Sequence, residues 1–139
     1  MLSTVAVGTD GTSTASKAVE AAAEIARRFD AKLVLLSVSS ESHGSAPQSS
    51  DETQWVHNKD ARVREMLSRT EQELRQRKID CTTLVDEGDP AEVLVQLAEE
   101  CGADLLVIGN RGMHRRVLGS VPNTVTHKAT CSVYVVKTT

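Results

Sequence analysis

The stretch Gly88–Gly112, GDPAEVLVQLAEECGADLLVIGNRG, decides the fold. Asp89 followed by Pro90 marks a helix start. An aspartate side chain accepts from the orphan N–H groups of a first turn, and proline at the first helical position has no N–H to leave unpaired. From there Val93, Leu94, Leu97 and Ala98 recur at helical spacing and form one apolar stripe. Asp104–Gly109 (DLLVIG) then runs almost without a polar residue. Such a run is a strand covered on both faces, as in a parallel sheet flanked by helices.

Working outward, the same unit recurs. Thr4–Gly8 (TVAVG), Lys32–Val38 (KLVLLSV), Cys81–Val85 (CTTLV) and Val133–Lys137 (VYVVK) are short and rich in β-branched residues. Helical stripes lie between them. Thr14–Phe29 aligns Ala18, Ala22, Ile25 and Phe29; Arg62–Lys78 aligns Val63, Leu67, Thr70 and Leu74; Val121–Ala129 supplies a short last helix. Strict alternation of strand and helix predicts an α/β fold, an open parallel sheet with helices on both faces. The polar segment around residues 39–55, including SSESHGSAPQSS, breaks the alternation and reads as a mobile loop within one domain over 1–139. Trp55 is expected to pin the second helix rather than stack on a base.

Composition excludes several classes. With Lys+Arg 16 against Asp+Glu 19, the net charge of −3 offers no basic field for nucleic acid. Phe29, Trp55 and Tyr134 are too few and too scattered for a base-stacking platform. No apolar run nears the ~20 residues that span a bilayer. The first one, TVAVG, is too short for a secretory leader, so the cytoplasm is the expected location. Cys81, Cys101 and Cys131 are odd in number and lack a CxxC pair. They read as small buried thiols.

Chemistry concentrates at two strand ends. The first strand runs into Gly8-Thr9-Asp10-Gly11-Thr12 and the fourth into Gly109-Asn110-Arg111-Gly112. Ligands of open α/β sheets sit beyond the carboxyl ends of strands where the order reverses, and neighbouring strands would bring both loops there. The helix after Gly119-Ser120 would present free N–H groups and its positive dipole end to an anion. Two readings stand side by side: a phosphate cradle, or glycines that only permit turns with Ser120 as an N-cap. The P-loop lysine is missing, and GTDGT is not the dinucleotide fingerprint. Arg111, Arg115 and Arg116 either pair with phosphate or form a solvated or partner-facing patch. Asp10 as a receiver-like phosphoacceptor would need clustered acids for Mg²⁺, which the first strand does not offer. The four histidines share no metal-binding spacing, and no Gly-x-Ser-x-Gly elbow occurs. Neither a catalytic residue nor a protein-built metal site is expected.

TVAVGTDGT, GDPAEVLVQLAEECGADLLVIGNRG and GSVPNTVTHKATCSVYVV together resemble the universal stress protein family over essentially the whole chain. The resemblance implies a five-stranded parallel sheet of order 3-2-1-4-5 and a homodimer through the last strand, Val133–Lys137. It implies ATP or a related adenine nucleotide as ligand, with any Mg²⁺ held mostly by the phosphates. Carried over residue by residue, Gly109 and Gly112 contact ribose and phosphates, while Gly119, Ser120 and the Val121 amide hold phosphate. Asp10 lies by the adenine, Val38 at its edge and Ile108 beside the sugar; Thr9 and Arg111 are counted with the nucleotide-binding residues.

One departure is plain: six residues separate Gly112 from Gly119, where the family's ATP-binding pattern has nine. Three missing residues shorten the path by roughly 10 Å. The inner phosphates should therefore be held better than the γ-phosphate, and AMP or cyclic AMP should compete with ATP. The expected function is an adenine-nucleotide-binding regulator of stress response with at most weak hydrolysis. The alternatives are a nucleotide-free dimeric interaction protein or a cyclic-nucleotide binder.

Overall fold

A computed structural model describes residues 2–10, 13–39, 50–110 and 119–137, with side chains from 15 onward in the first helix and from 61 onward in the second. The elements alternate: β1 (Thr4–Gly8), α1 (Ser13–Phe29), β2 (Lys32–Ser39), α2 (Ser50–Gln76), β3 (Cys81–Glu87), α3 (Pro90–Glu100), β4 (Leu105–Asn110), α4 (Ser120–Lys128) and β5 (Ser132–Lys137). The strands are parallel throughout and ordered β3-β2-β1-β4-β5, as expected.

The apolar runs are explained by two cores, one on each face of the sheet. Val5 and Val7 of β1, Leu33 and Leu35 of β2 and Val107 of β4 pack under the alanines of α1 and Leu67 and Leu74 of α2. Their neighbours in sequence, Ala6, Val34, Leu36, Leu106 and Ile108, point to the opposite face against α3 and α4. Side chains alternate along a strand, so a strand with two buried faces has no place for polar residues. Ala18, Ala22 and Ala23 are fully buried, and their small size lets α1 lie close to the sheet.

Three helices end in the same way. After α1, α2 and α3 the chain turns through a residue of positive φ: Asp30 at 53°, Lys78 at 64° and Gly102 at 68°. The next amides reach back into the last turn, Ala31 to Ala26, Ile79 to Leu74 and Ala103 to Ala98, with N···O distances of 2.8, 3.1 and 2.9 Å. This double closure satisfies carbonyls that the helix leaves open. It also corrects the α1 stripe. Ala31 tucks in beneath the last turn, whereas Phe29, expected in the core, is 55% exposed.

Two other expectations are corrected. α2 begins at Ser50 rather than near Arg62, because residues 50–61 contain neither glycine nor proline to stop a helix. Part of the polar segment at 39–55 is thus strand or helix, and residues 40–49 lie outside the described residues. Trp55 falls within α2, in the part whose side chains are not described. Of the thiols, only Cys81 is fully buried, and desolvation with nearby Glu71 pushes it up to about 11. Cys101 and Cys131 are half-buried, and desolvation raises both.

The amino edge of the sheet is fastened by one carboxylate. Asp104 Oδ2 accepts from Ser3 N at 2.9 Å, Thr4 N at 3.0 Å and Ser3 Oγ at 3.0 Å. The Thr4 amide, then the Ser3 amide and hydroxyl, hold its pKa below the ordinary carboxylate value. A depressed folded pKa contributes stability above the unfolded value, about 4, and the contribution is lost as pH falls through the folded value. Asp104→Asn should therefore be less stable than the parent at pH 7. The gap should narrow below about pH 4. Thermal melts from pH 7 to 2 check this; a gap that stays constant would show that the carboxylate's charge is not what matters.

Candidate functional site

The strand order reverses between β1 and β4, which are direct neighbours. One connection from this pair leads to β2 and β3, the other to β5, and in open α/β sheets the crevice that takes a ligand lies at such a divergence. The buried polar side chains of the sheet gather toward its carboxyl edge: Thr9 just beyond β1, Ser37 in β2 and Asn110 at the end of β4, with 9%, 2% and 0% of their surfaces exposed. Elsewhere the described core is apolar. Burying a polar group in so apolar a setting costs about 1–3 kcal/mol unless it is hydrogen-bonded, so their grouping calls for a cause. Part of the cause is structural, since Thr9 N donates to Leu36 O at 2.8 Å and Asn110 Oδ1 accepts from Gly119 N at 3.0 Å.

The start of α4 faces this edge. Gly119 is its N-cap, with φ −63° and ψ 167°, and has no side-chain cap. Pro122 and Val125 are buried and anchor the helix on the α3 side of the sheet. Four N–H positions, 119 to 122, open a helix without intrahelical partners. Here Gly119 N is taken by Asn110, and Pro122 has no N–H. Ser120 and Val121 are left to face an anion, with the exposed Ser120 hydroxyl beside them. Two amides and one hydroxyl suit a single phosphate group.

The site residues read from the sequence divide into three sets. Thr9, Asp10, Gly109, Gly119, Ser120 and Val121 lie at strand and helix ends around the crevice, with Asp10 exposed and Gly109 half-buried. Val38 is half-buried near the end of β2, in register with Asp86 of β3. Ile108 is 3% exposed with its side chain in the α3–α4 core, so it can offer a ligand only main chain. Arg111 and Gly112, with Arg115 and Arg116, lie outside the described residues. Two polar residues of this edge were not singled out, Ser37 and Asn110. A lone polar residue near the carboxyl end of an apolar strand is the signal that marks both.

Gly8, at the end of β1, has a packing reason. A Cβ there would meet Leu94 Cδ2 at 3.1 Å and Ile108 Cγ2 at 3.5 Å, so glycine lets α3 sit close to the sheet. Among the described residues no three His, Cys, Asp or Glu side chains are grouped to hold a metal ion. None of the described helices is long and apolar enough to cross a membrane.

The model of the universal stress protein family matches residues 1–137. A universal stress protein of Mycobacterium tuberculosis is 37% identical over 145 aligned residues, spanning 98% of this chain and 97% of its own. The Bacillus subtilis universal stress protein YxiE is 26% identical over 99% of this chain and all 100% of its own. Among solved structures, a universal stress protein in complex with cAMP is 30% identical, with a TM-score of 0.78 and 99% of each chain covered. UspA from Lactobacillus plantarum, 23% identical, shares the fold with a TM-score of 0.81 over 97% of each chain. Family model, full-length identity and strand order agree, and the chain belongs to the universal stress protein family.

Proposed function

We propose that the protein binds an adenine nucleotide at the carboxyl edge of the sheet, as a regulatory binder rather than an enzyme. The observation that carries this is the meeting of buried polar residues and the open start of α4 at the β1–β4 divergence. A relative 30% identical was solved in complex with cAMP, which supports the ligand class. In this reading Gly109, Gly112 and Asp10 serve the nucleoside, while Gly119, Ser120 and Val121 receive the phosphate next to the ribose. The two available amides and the six-residue spacing between Gly112 and Gly119 both favour a ligand with one phosphate. Any Mg²⁺ would arrive on the phosphates of ATP.

Calorimetry with AMP, cyclic AMP and ATP tests the proposal. AMP or cyclic AMP is expected to bind at least as tightly as ATP. Binding of none of the three would overturn the nucleotide reading.

The protein should act as a dimer. β5 is an edge strand, and Tyr134 on it is 43% exposed. An uncovered apolar edge invites a second copy, and two edges related by a two-fold axis close the assembly. Sedimentation at micromolar concentration is expected to give a dimer; a clean monomer would remove this part of the reading.

A further inference from the structure

We propose that Asn110 is a positioning residue of the phosphate site: by holding the Gly119 amide it sets the start of α4 and directs a phosphate to the next two amides. The proposal rests on the nucleotide reading above. Asn110 is the last residue of β4 and is wholly buried. Its Oδ1 accepts from the Gly119 amide at 3.0 Å, nine residues further along the chain. The bond joins the end of β4 to the N-cap residue of α4.

Two consequences follow. The bond sets where α4 begins relative to β4, and with Pro122 and Val125 buried on the other side the helix start is held from both ends. It also removes Gly119 N–H from the donors an anion can reach. The phosphate is thereby directed to Ser120 and Val121.

The choice of side chain is informative. An N–H at a helix start, on the positive end of the dipole, bonds more strongly to a carboxylate than to an amide. At a wholly buried position a carboxylate also carries a desolvation cost that an amide avoids, so burial by itself already favours the neutral side chain. A second negative group close by would add charge repulsion to that cost, and this added repulsion is what a comparison of a neutral with an anionic ligand reads.

Asn110→Asp is the main test, read by calorimetry with adenosine and with AMP and by a thermal melt. The variant should melt below the parent, because its carboxyl group is buried, and bind adenosine within about threefold of the parent, while AMP binding weakens at least tenfold by charge repulsion. A structural role alone would leave AMP binding unchanged or lower both ligands equally, and either result overturns the proposal. Asn110→Ala should release the Gly119 amide to fast hydrogen exchange and weaken AMP more than adenosine. Should that variant not fold, the unmodified protein carries the same test. Gly119 N–H should be protected without ligand, whereas Ser120 and Val121 should gain protection only with AMP. Fast exchange at Gly119 in the free protein would overturn the clasp. If the parent binds neither adenosine nor AMP, the nucleotide reading itself fails, a result distinct from a parent that binds and an Asn110→Asp variant that binds equally.

Discussion

Ser120→Pro is expected to keep the fold and to lose most of the affinity for AMP. Proline is well tolerated at the first position of a helix, where its missing N–H would have had no partner and its fixed φ suits the turn. The preceding residue must be extended, and Gly119 already is, at φ −63° and ψ 167°. Restricting the unfolded chain should even stabilise the protein by about 0.4–1 kcal/mol. What disappears is one of two amides left for an anion, together with the hydroxyl. A hydrogen bond to a charged group contributes about 1.5–3 kcal/mol, so loss of the amide alone should weaken AMP about 10- to 150-fold, and loss of the hydroxyl adds to this. Ser120→Ala separates the two losses, since it keeps the amide and should weaken AMP only several-fold. Calorimetry on both variants, with a thermal melt beside it, reads the result. A Ser120→Pro protein that melts like the parent and binds AMP equally well would place the phosphate somewhere other than α4.

The strands were legible because burial on both faces leaves a continuous apolar trace, and β1 is found at the residues expected, Thr4–Gly8. Asp89-Pro90 was as clear, with Asp89 Oδ2 accepting from Glu92 N at 3.2 Å as an N-cap should. Strand order was not written in periodicity. It came from the family resemblance, because pairing between β1 and β4 depends on residues about a hundred positions apart. The end of α1 fell at Phe29 as expected, but the left-handed turns that close the helices were legible only where glycine marks one. Gly102 announces a left-handed residue, but Asp30 and Lys78 adopt the same conformation with side chains that disfavour it. The first part of α2, residues 50–61, was missed because, without a helical apolar stripe, a polar segment reads as loop even when nothing in it stops a helix.

Of the candidate site, the sequence pointed to the glycines and not to the polar core. Gly109, Gly119 and Ser120 stand out because they interrupt an apolar strand or open a helix. Asn110, between a glycine and an arginine, looks like part of a surface turn. Its complete burial and its bond to Gly119 depend on where α4 returns to the sheet, and no local pattern encodes that return. Gly8 misleads in the opposite direction. Beside Thr9-Asp10 it reads as ligand-facing, while its surroundings show that it makes room for a leucine.

That reading of Gly8 has a quantitative consequence. Leu94→Ala should destabilise the protein by about 2–4 kcal/mol, since it removes most of a side chain only 8% exposed and leaves a cavity at the foot of α3. Gly8→Ala should destabilise the parent by about 1 kcal/mol. Its new methyl would stand 3.1 Å from Leu94 Cδ2, and that crowding outweighs the smaller gain from a stiffer unfolded chain. In the Leu94→Ala background the sign should reverse. The obstructing methyl is then gone, and the alanine at position 8 fills part of the cavity, a gain of about 0.8 kcal/mol per buried carbon. The two substitutions should therefore couple by about 2 kcal/mol, within the range known for residues in contact. Urea unfolding of the four proteins measures the cycle. Additivity within about 0.5 kcal/mol would mean that Gly8 is not there to seat α3. Because Thr9 follows Gly8 directly, a lifted α3 should also disturb the crevice, so AMP affinity should fall in Gly8→Ala and recover in the double variant.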